Sequence, residues 1–466
     1  MRLSPVVFAA AVALTACPAE KSAPGVAPTT QAPPPPPTAA RRGQVTLLIT
    51  GHESGQLPAK APRLLAQWKQ EDGWPAALAL STGDTFSGAV LSSHFFGAST
   101  AEVMKALQYK ASALGNHDLD LGFDTLQAFR DQSGLTLLAA NLKDKPDADQ
   151  PLELVPSLVL TRDNVKVGVV GFTSAKTLAT TVSGRASGLE LVPLAQAVGP
   201  ALESLKKDAP DVVVALMDDC FTALQPVLQA HPEWKVDLVV GTHCEGTADD
   251  VGGATKYFSA ADDLSSYVSA SVAVDATGVT VTARRKDVTK GDDDADLAAL
   301  RARWQAKLDE ALGQKIGFTR SGFKEDATAL RTLIATALRD ETKADAALIN
   351  QKGVRAALPK GAITHASVYE LIPFENAVLT VKVKGEVLTK FKAMPEAFLL
   401  LPPKLEPETE YLLATTEYLY FGGDGLGLEF VAPHPELTGQ VWQTPVIAWL
   451  RKQDTSEKKP LEKLLK

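Results

Sequence analysis

Short apolar blocks, each ending in polar residues, alternate with stretches of helical spacing through the first half of the chain. Val45-Thr46-Leu47-Leu48-Ile49 is β-branched and apolar throughout, the pattern of a strand buried on both faces. Four further blocks repeat the unit. Leu78-Ala79-Leu80-Ser81-Thr82 leads into Gly83-Asp84-Thr85-Phe86-Ser87-Gly88, and Val165 to Phe172 leads into Thr173. Val212 to Leu216 runs into Met217-Asp218-Asp219-Cys220, and Asp237 to Val240 into Gly241-Thr242-His243-Cys244-Glu245. Between them, Pro62 to Gln70 and Ala195 to Asp208 have helical spacing. Buried strands alternating with helices predict a layered α/β domain with ligands at the carboxyl ends of its strands.

One turn concentrates more chemistry than the others. In Gly115-Asn116-His117-Asp118-Leu119-Asp120-Leu121-Gly122-Phe123-Asp124, an apolar run from Ala111 to Leu114 precedes the turn and a helix is predicted after it, from Thr125 to Arg130. Its amide, imidazole and carboxylates could hold a hard cation beside a proton donor. Asn, Asp and Gly are also ordinary turn formers, so the stretch taken alone leaves both readings open.

The ends of the chain follow other rules. Arg2, the short apolar run Val6 to Leu14, and Leu14-Thr15-Ala16-Cys17 resemble a bacterial lipoprotein signal, in which Cys17 would be lipidated; a plain secretory signal is the alternative. The expectation is an exported protein lipid-anchored in the cell envelope, facing the periplasm, with the membrane touched through that anchor only. Residues 18–43, with five consecutive prolines at 33–37, predict an extended tether. Domain one is placed at 44–286 and a charged linker at 287–314, helical over Leu297 to Leu312. A second α/β substrate-binding domain is placed at 315–450, and a frayed charged tail at 451–466.

Composition adds little. A length of 466 residues implies more than one domain, and 45% hydrophobic with 22% charged residues is globular. A net charge of −8 gives no electrostatic reason to expect a nucleic-acid partner.

Five strand ends thus carry His52; Asp84; Asn116 and His117; Asp218 and Asp219; and His243 and Glu245. Their order and spacing resemble the calcineurin-like metallophosphoesterases, specifically the exported 5′-nucleotidase family. Gly83-Asp84 to Gly88 and Gly115-Asn116-His117-Asp118 carry two of its motifs, and Ala140-Asn141 a further short one. Asn350-Gln351-Lys352-Gly353-Val354-Arg355, then Pro373-Phe374-Glu375-Asn376, then Tyr418 with Gly422-Gly423-Asp424-Gly425 resemble its C-terminal domain. The resemblance implies an α/β/β/α sandwich and a hydrolase releasing phosphate from nucleotides. It implies two divalent metal ions sharing Asp84, with Asn116 and His243 on one of them, and a single bound ion as the alternative. His117, oriented by Asp120, would stabilise or protonate the leaving oxygen. Phe374 and Tyr418 would sandwich the base, Asp424 bind the ribose, and Asn350 and Arg355 lie near ribose and phosphate.

The sequence also departs from the family. His52 and Ser54 stand where the pattern has Asp and His, Asp218 where it has His, and Glu245 where it has His or Gln. The metal set of Asp84, Asn116, His243, Asp218, His52 and Glu245 is therefore richer in oxygen than the family's, which favours Mn or Mg over Zn by hardness. A nucleotide-binding protein without turnover is the competing reading. Cys220 and Cys244, each beside a candidate ligand, could form a disulfide, ligate the metal, or remain two buried thiols.

Overall fold

The computed structural model describes residues 41–148, 150–152, 154–181, 185–244, 249 and 253–465. Two sheets stack in its first half. One has six strands, in the spatial order Gly278–Asp287, Ser266–Asp275, Arg41–Thr50, Leu78–Ser81, Tyr109–Ala113 and Thr136–Leu138. The other has five, Lys256–Ser259, Leu238–Gly241, Val212–Asp218, Val165–Thr173 and Ser157–Arg162. The strands preceding the motif loops pair in parallel, for example Leu47 with Leu78 and Val167 with Val212. Within each sheet the carboxyl ends of these strands therefore point the same way.

The alternation of side chains explains the layering. Leu47, Ile49, Leu78, Leu80, Val167, Val169, Val214 and Leu238 meet between the sheets in one core. The opposite faces are apolar too, because helices cover them. Helix Leu57–Trp68 and its neighbours pack on the first sheet through Leu57, Leu64 and Trp68, and helix Leu194–Lys206 packs on the second through Val198 and Leu202. The result is the expected α/β/β/α sandwich. The strand Arg41–Thr50 begins inside the segment read as tether, because Arg41 and Gly43 already pair with Asp275 and Val274.

Helix Ala295–Leu312 follows the last strand of the first sheet, capped by the Asp294 carboxylate, which accepts from the Asp296 and Leu297 amides. Trp304, Leu308 and Leu312 seat it against Val90 and Leu91. The second half builds a five-stranded sheet ordered Ala397–Leu400, Ala346–Asn350, Glu410–Thr416, Ala377–Lys384 and Glu436–Val441. Among the described residues no helix is long and apolar enough to cross a membrane.

The charged tail is not frayed. Thr455 Oγ1 accepts from the Phe318 amide at 2.8 Å, and Glu462 accepts from the Arg320 and Ser321 amides at 2.8 and 2.7 Å. Leu461 is fully buried in the second-half core. Lys458, Lys459 and Lys463 are exposed while these few groups, Glu462 among them, anchor the segment, a pattern that composition alone does not reveal. Truncation after Gln453 should therefore lower stability by about 2–5 kcal/mol, the cost of losing one buried leucine, as read by urea unfolding. An unchanged unfolding midpoint would show the tail to be dispensable.

Candidate active site

Four candidate residues sit at strand ends with left-handed backbones: His52 at φ 43°, Ser54 at 48°, Asp84 at 55° and His243 at 54°. Such conformations cost about 1–3 kcal/mol each and persist only where surroundings impose them. Here the loops brace one another. His52 N donates to Gly83 O at 3.0 Å, and Ser54 N to Asp84 O at 2.9 Å. Close approach also dictates the glycine at 115, where a Cβ would lie 2.1 Å from Asp84 Oδ1.

The brace between the Asp84 loop and the Asn116 loop is Asp118. Its Oδ2 accepts from the amides of Asp84 (3.0 Å) and Gly115 (2.9 Å); its Oδ1 accepts from Thr85 N (2.7 Å) and Thr85 Oγ1 (2.6 Å). Burial, and then the nearby Asp84 charge, push this carboxyl up to about 6.

Around that brace the ligating atoms converge. One ligand atom each from His52, Asp84 and His243 lies within 4.8 Å of the others. Asp84 Oδ2 is 3.9 Å from His52 Nε2 and 3.7 Å from His243 Nε2, while Asp84 Oδ1 accepts from the His117 amide at 2.8 Å. Asp84 Oδ2 and both oxygens of Asp218 are buried without a hydrogen-bond partner. Orphaned carboxylate oxygens beside two imidazoles are suited to a cation, so the residues fit a divalent ion. Burial, and then the charges of Asp84 and Asp118, hold Asp218 well above the usual carboxylate range. Burial alone would raise Asp84 as well, but His117, His243 and His52 outweigh it and hold it low.

Asp262 belongs to the same arrangement. Its Oδ1 lies 3.0 Å from His52 Nδ1 and accepts from Thr242 Oγ1 at 3.0 Å, and its Oδ2 lies 3.8 Å from His243 Nδ1. It backs the His52 imidazole closely and the His243 imidazole at longer range. Sequence reasoning missed it, since Ala261-Asp262-Asp263-Leu264 lies in no recognised motif and resembles an ordinary polar turn. Asp118 stands in a recognised motif, yet only the structure shows that it faces inward.

His117 is oriented as expected. Its Nδ1 is 2.8 Å from Asp120 Oδ2, which also accepts from Ser87 Oγ at 2.9 Å. Burial would lower this imidazole, but the charges of Asp120 and Asp84 prevail and push it up to about 9. Its ring stacks on His52 at 6.2 Å and on Phe374 of the second half at 5.3 Å.

A cavity of about 440 Å³ opens in front of these groups. Asn116, His117, Asp120, Asp218 and His243 line it from the first half, with Asn350, Arg355, Phe374, Tyr418 and Asp424 from the second. Tyr418 Oη donates to Asp424 Oδ1 at 3.0 Å, while Asp424 Oδ2 and Asn350 Oδ1 are buried and unpartnered. The structure thus gathers every candidate of both domains save Glu245, which lies outside the described residues, as do Cys17 and the segment 18–40. Ser54 is turned away from a ligand role, its Oγ donating weakly to His52 O at 3.4 Å. Cys220 and Cys244 form a disulfide, which joins the loop of Asp218 to the loop of His243 and decides among the three readings of these thiols.

Comparison with known proteins agrees with this geometry. Residues 305–391 match the family model described as 5′-nucleotidase, C-terminal domain. Over 369 residues the chain is 25% identical to a 5′-nucleotidase of Vibrio cholerae, covering 67% of this chain and 66% of that protein. The crystal structure of a 5′-nucleotidase precursor from Thermus thermophilus superposes with a TM-score of 0.71 at 18% identity, covering 89% of this chain and 97% of that one. The chain is related to the 5′-nucleotidases and carries their two-domain fold. The Bacillus subtilis endonuclease YhcR is also similar, 22% identical over 342 residues, covering 67% of this chain and 28% of that protein. The chain spans less than two thirds of the length of these curated relatives.

Within this 5′-nucleotidase fold Asp118 is the residue whose loss should travel furthest. Asp118→Ala leaves three loop amides and a buried hydroxyl unsatisfied, at about 1–3 kcal/mol each. The expected outcome is a marked drop in thermal stability together with loss of bound divalent metal. A variant with normal metal content and unchanged melting would refute the bracing role.

Proposed function

We propose that the chain is a metal-dependent phosphoester hydrolase of the 5′-nucleotidase type, releasing phosphate from nucleotides, exported and lipid-anchored through Cys17. The observation that carries the catalytic reading is the group of orphaned carboxylate oxygens on Asp84 and Asp218. Asp84 Oδ2 lies beside two imidazoles, and Asp218 lines a cleft walled by polar and aromatic groups.

His52, Asp84 and His243 would hold a divalent ion, with Asn116 and Asp218 supplying further oxygen donors. The abundance of carboxylate favours Mn or Mg over Zn. Bound divalent metal would neutralise phosphate charge and lower the pKa of the attacking water. The chain's own groups do the rest. Asp120 fixes Nδ1 of His117, leaving Nε2 as the nitrogen available to the cleft, and the raised pKa keeps a proton on the ring at neutral pH. That proton is placed for the leaving oxygen of the ester. Arg355, poised 5.5 Å over the Phe374 ring, supplies positive charge on the opposite wall. Phe374 and Tyr418 offer stacking surface for a base, and Asp424 Oδ2 and Asn350 Oδ1 are acceptors for sugar hydroxyls.

Purified protein should release phosphate from AMP with added Mn²⁺ or Mg²⁺ more readily than with Zn²⁺. His117→Ala should lower kcat by about 10²–10⁴-fold with little change in metal content, whereas Asp84→Ala should lose bound metal as well as activity. If no nucleotide is hydrolysed with any of the three metals, the chain is a nucleotide-binding protein without turnover.

Anchoring rests on the Leu-Thr-Ala-Cys run at 14–17 and the proline-rich segment behind it. Cys17→Ser should leave the protein unlipidated, soluble or as uncleaved precursor, in fractionated cells. A variant processed and retained in the membrane like wild type would remove this part of the reading.

A further inference from the structure

A cavity of about 360 Å³ lies apart from the cleft and shares no lining residue with it. It opens between helix Leu57–Trp68, the turn at Leu264, the chain around Val288 and helix Ala295–Leu312. Its walls carry three cations, Lys60, Arg63 and Arg301, against one carboxylate, Asp293. The fold holds these cations together. Lys60 and Arg63 stand three residues apart, on the same face of their helix. Arg63 reaches Asp293 Oδ1 at 3.3 Å and Arg301 reaches Asp293 Oδ2 at 2.8 Å, so two guanidinium groups share a single acid. Arg301 Nη1 also donates to Ala59 O, next to Lys60, at 3.2 Å.

Their donors are not all used. Lys60 Nζ donates to a backbone oxygen, Asp263 O, and among the described residues it has no carboxylate within ion-pair distance. Burial outweighs the nearby Asp263 charge and lowers its pKa, as expected of an ammonium group with too little negative charge around it. Arg63 Nε is buried without a hydrogen-bond partner. Asp294, the acid beside Asp293, is engaged elsewhere, capping helix Ala295–Leu312 and pairing with Lys69. Leu264 and Val288 are buried and close the cavity with apolar surface, which limits the screening of its charges by water.

We propose that this cavity binds a phosphate group, free or carried as a monoester, through Lys60, Arg63 and Arg301. The lining carries a net two positive charges, which a phosphate group of about −1.5 to −2 matches. Guanidinium forks and a point-charge ammonium are donors suited to its oxygens. The site makes and breaks no bond, and it stands whether or not the cleft hydrolyses nucleotides.

Calorimetric titration of the full chain with inorganic phosphate, and separately with glycerol 3-phosphate, is the test. Saturable binding of at least one probe is expected, and the tighter of the two identifies the source of the phosphate group. Lys60→Met, which keeps the aliphatic stem, should weaken that binding about tenfold, and Lys60→Arg should restore it. Asp84→Ala, which disables the candidate metal centre, should leave it in place. Failure of both probes to bind overturns the site. So does binding that survives unchanged in Lys60→Met, or that disappears in Asp84→Ala and therefore belongs to the cleft.

Discussion

Buried negative charge is the constraint on which the first half of this molecule is built. Asp84, Asp118, Asp218 and Glu53 are all fully or almost fully buried at the ends of neighbouring strands, close enough for each to perturb another. Carboxylates taken out of water must be neutralised by protons, hydrogen bonds or cations. Each is served differently. Glu53 is pushed up to about 8, chiefly by burial, with Thr50 and Ser81 donating to it. Asp118 takes four donors from the loops. Asp84 has three histidines around it. Asp218 alone among the four is served by no hydrogen-bond donor, and burial with its acidic neighbours holds it well above the usual carboxylate range, leaving both its oxygens orphaned at the cavity.

The fold is legible in the sequence because the pattern is strong. Blocks such as Val165 to Phe172 are apolar at nearly every position, which only a strand covered on both faces tolerates, and the structure places Val165–Thr173 between two neighbours inside its sheet. Helix Leu57–Trp68 is visible only from Pro62, since Leu57 and Pro58 lie outside the window of clear periodicity. The tail misleads because its few buried groups, Thr455 and Leu461, are scattered among lysines. The site is legible where ligands follow strands, and opaque where support comes from turns. Asp262 has a spacing that means nothing until the chain is folded.

The departures at His52 and Ser54 have a structural counterpart. With Ser54 turned away, the loop after strand Arg41–Thr50 offers His52 as its one candidate ligand, and Asp262 from another loop lies 3.0 Å from its Nδ1. The disulfide between Cys220 and Cys244 ties two ligand loops covalently. A closed loop of this size restricts the unfolded chain by roughly 3 kcal/mol on the chain-entropy account. Loops that cations would otherwise draw together are therefore joined before any cation arrives.

The rings of His243, His52, His117 and Phe374 follow one another at 4.1, 6.2 and 5.3 Å, running from the first-half strand ends into the second half. Neighbours in such a file share surfaces, so replacing one alters the packing and the charge environment of the next. Energies measured by altering these four side chains one at a time will consequently not sum to the effect of altering them together. On the proposed hydrolase reading, metal affinity, proton donation and base recognition would form a single coupled quantity, which double-mutant cycles along the file would apportion.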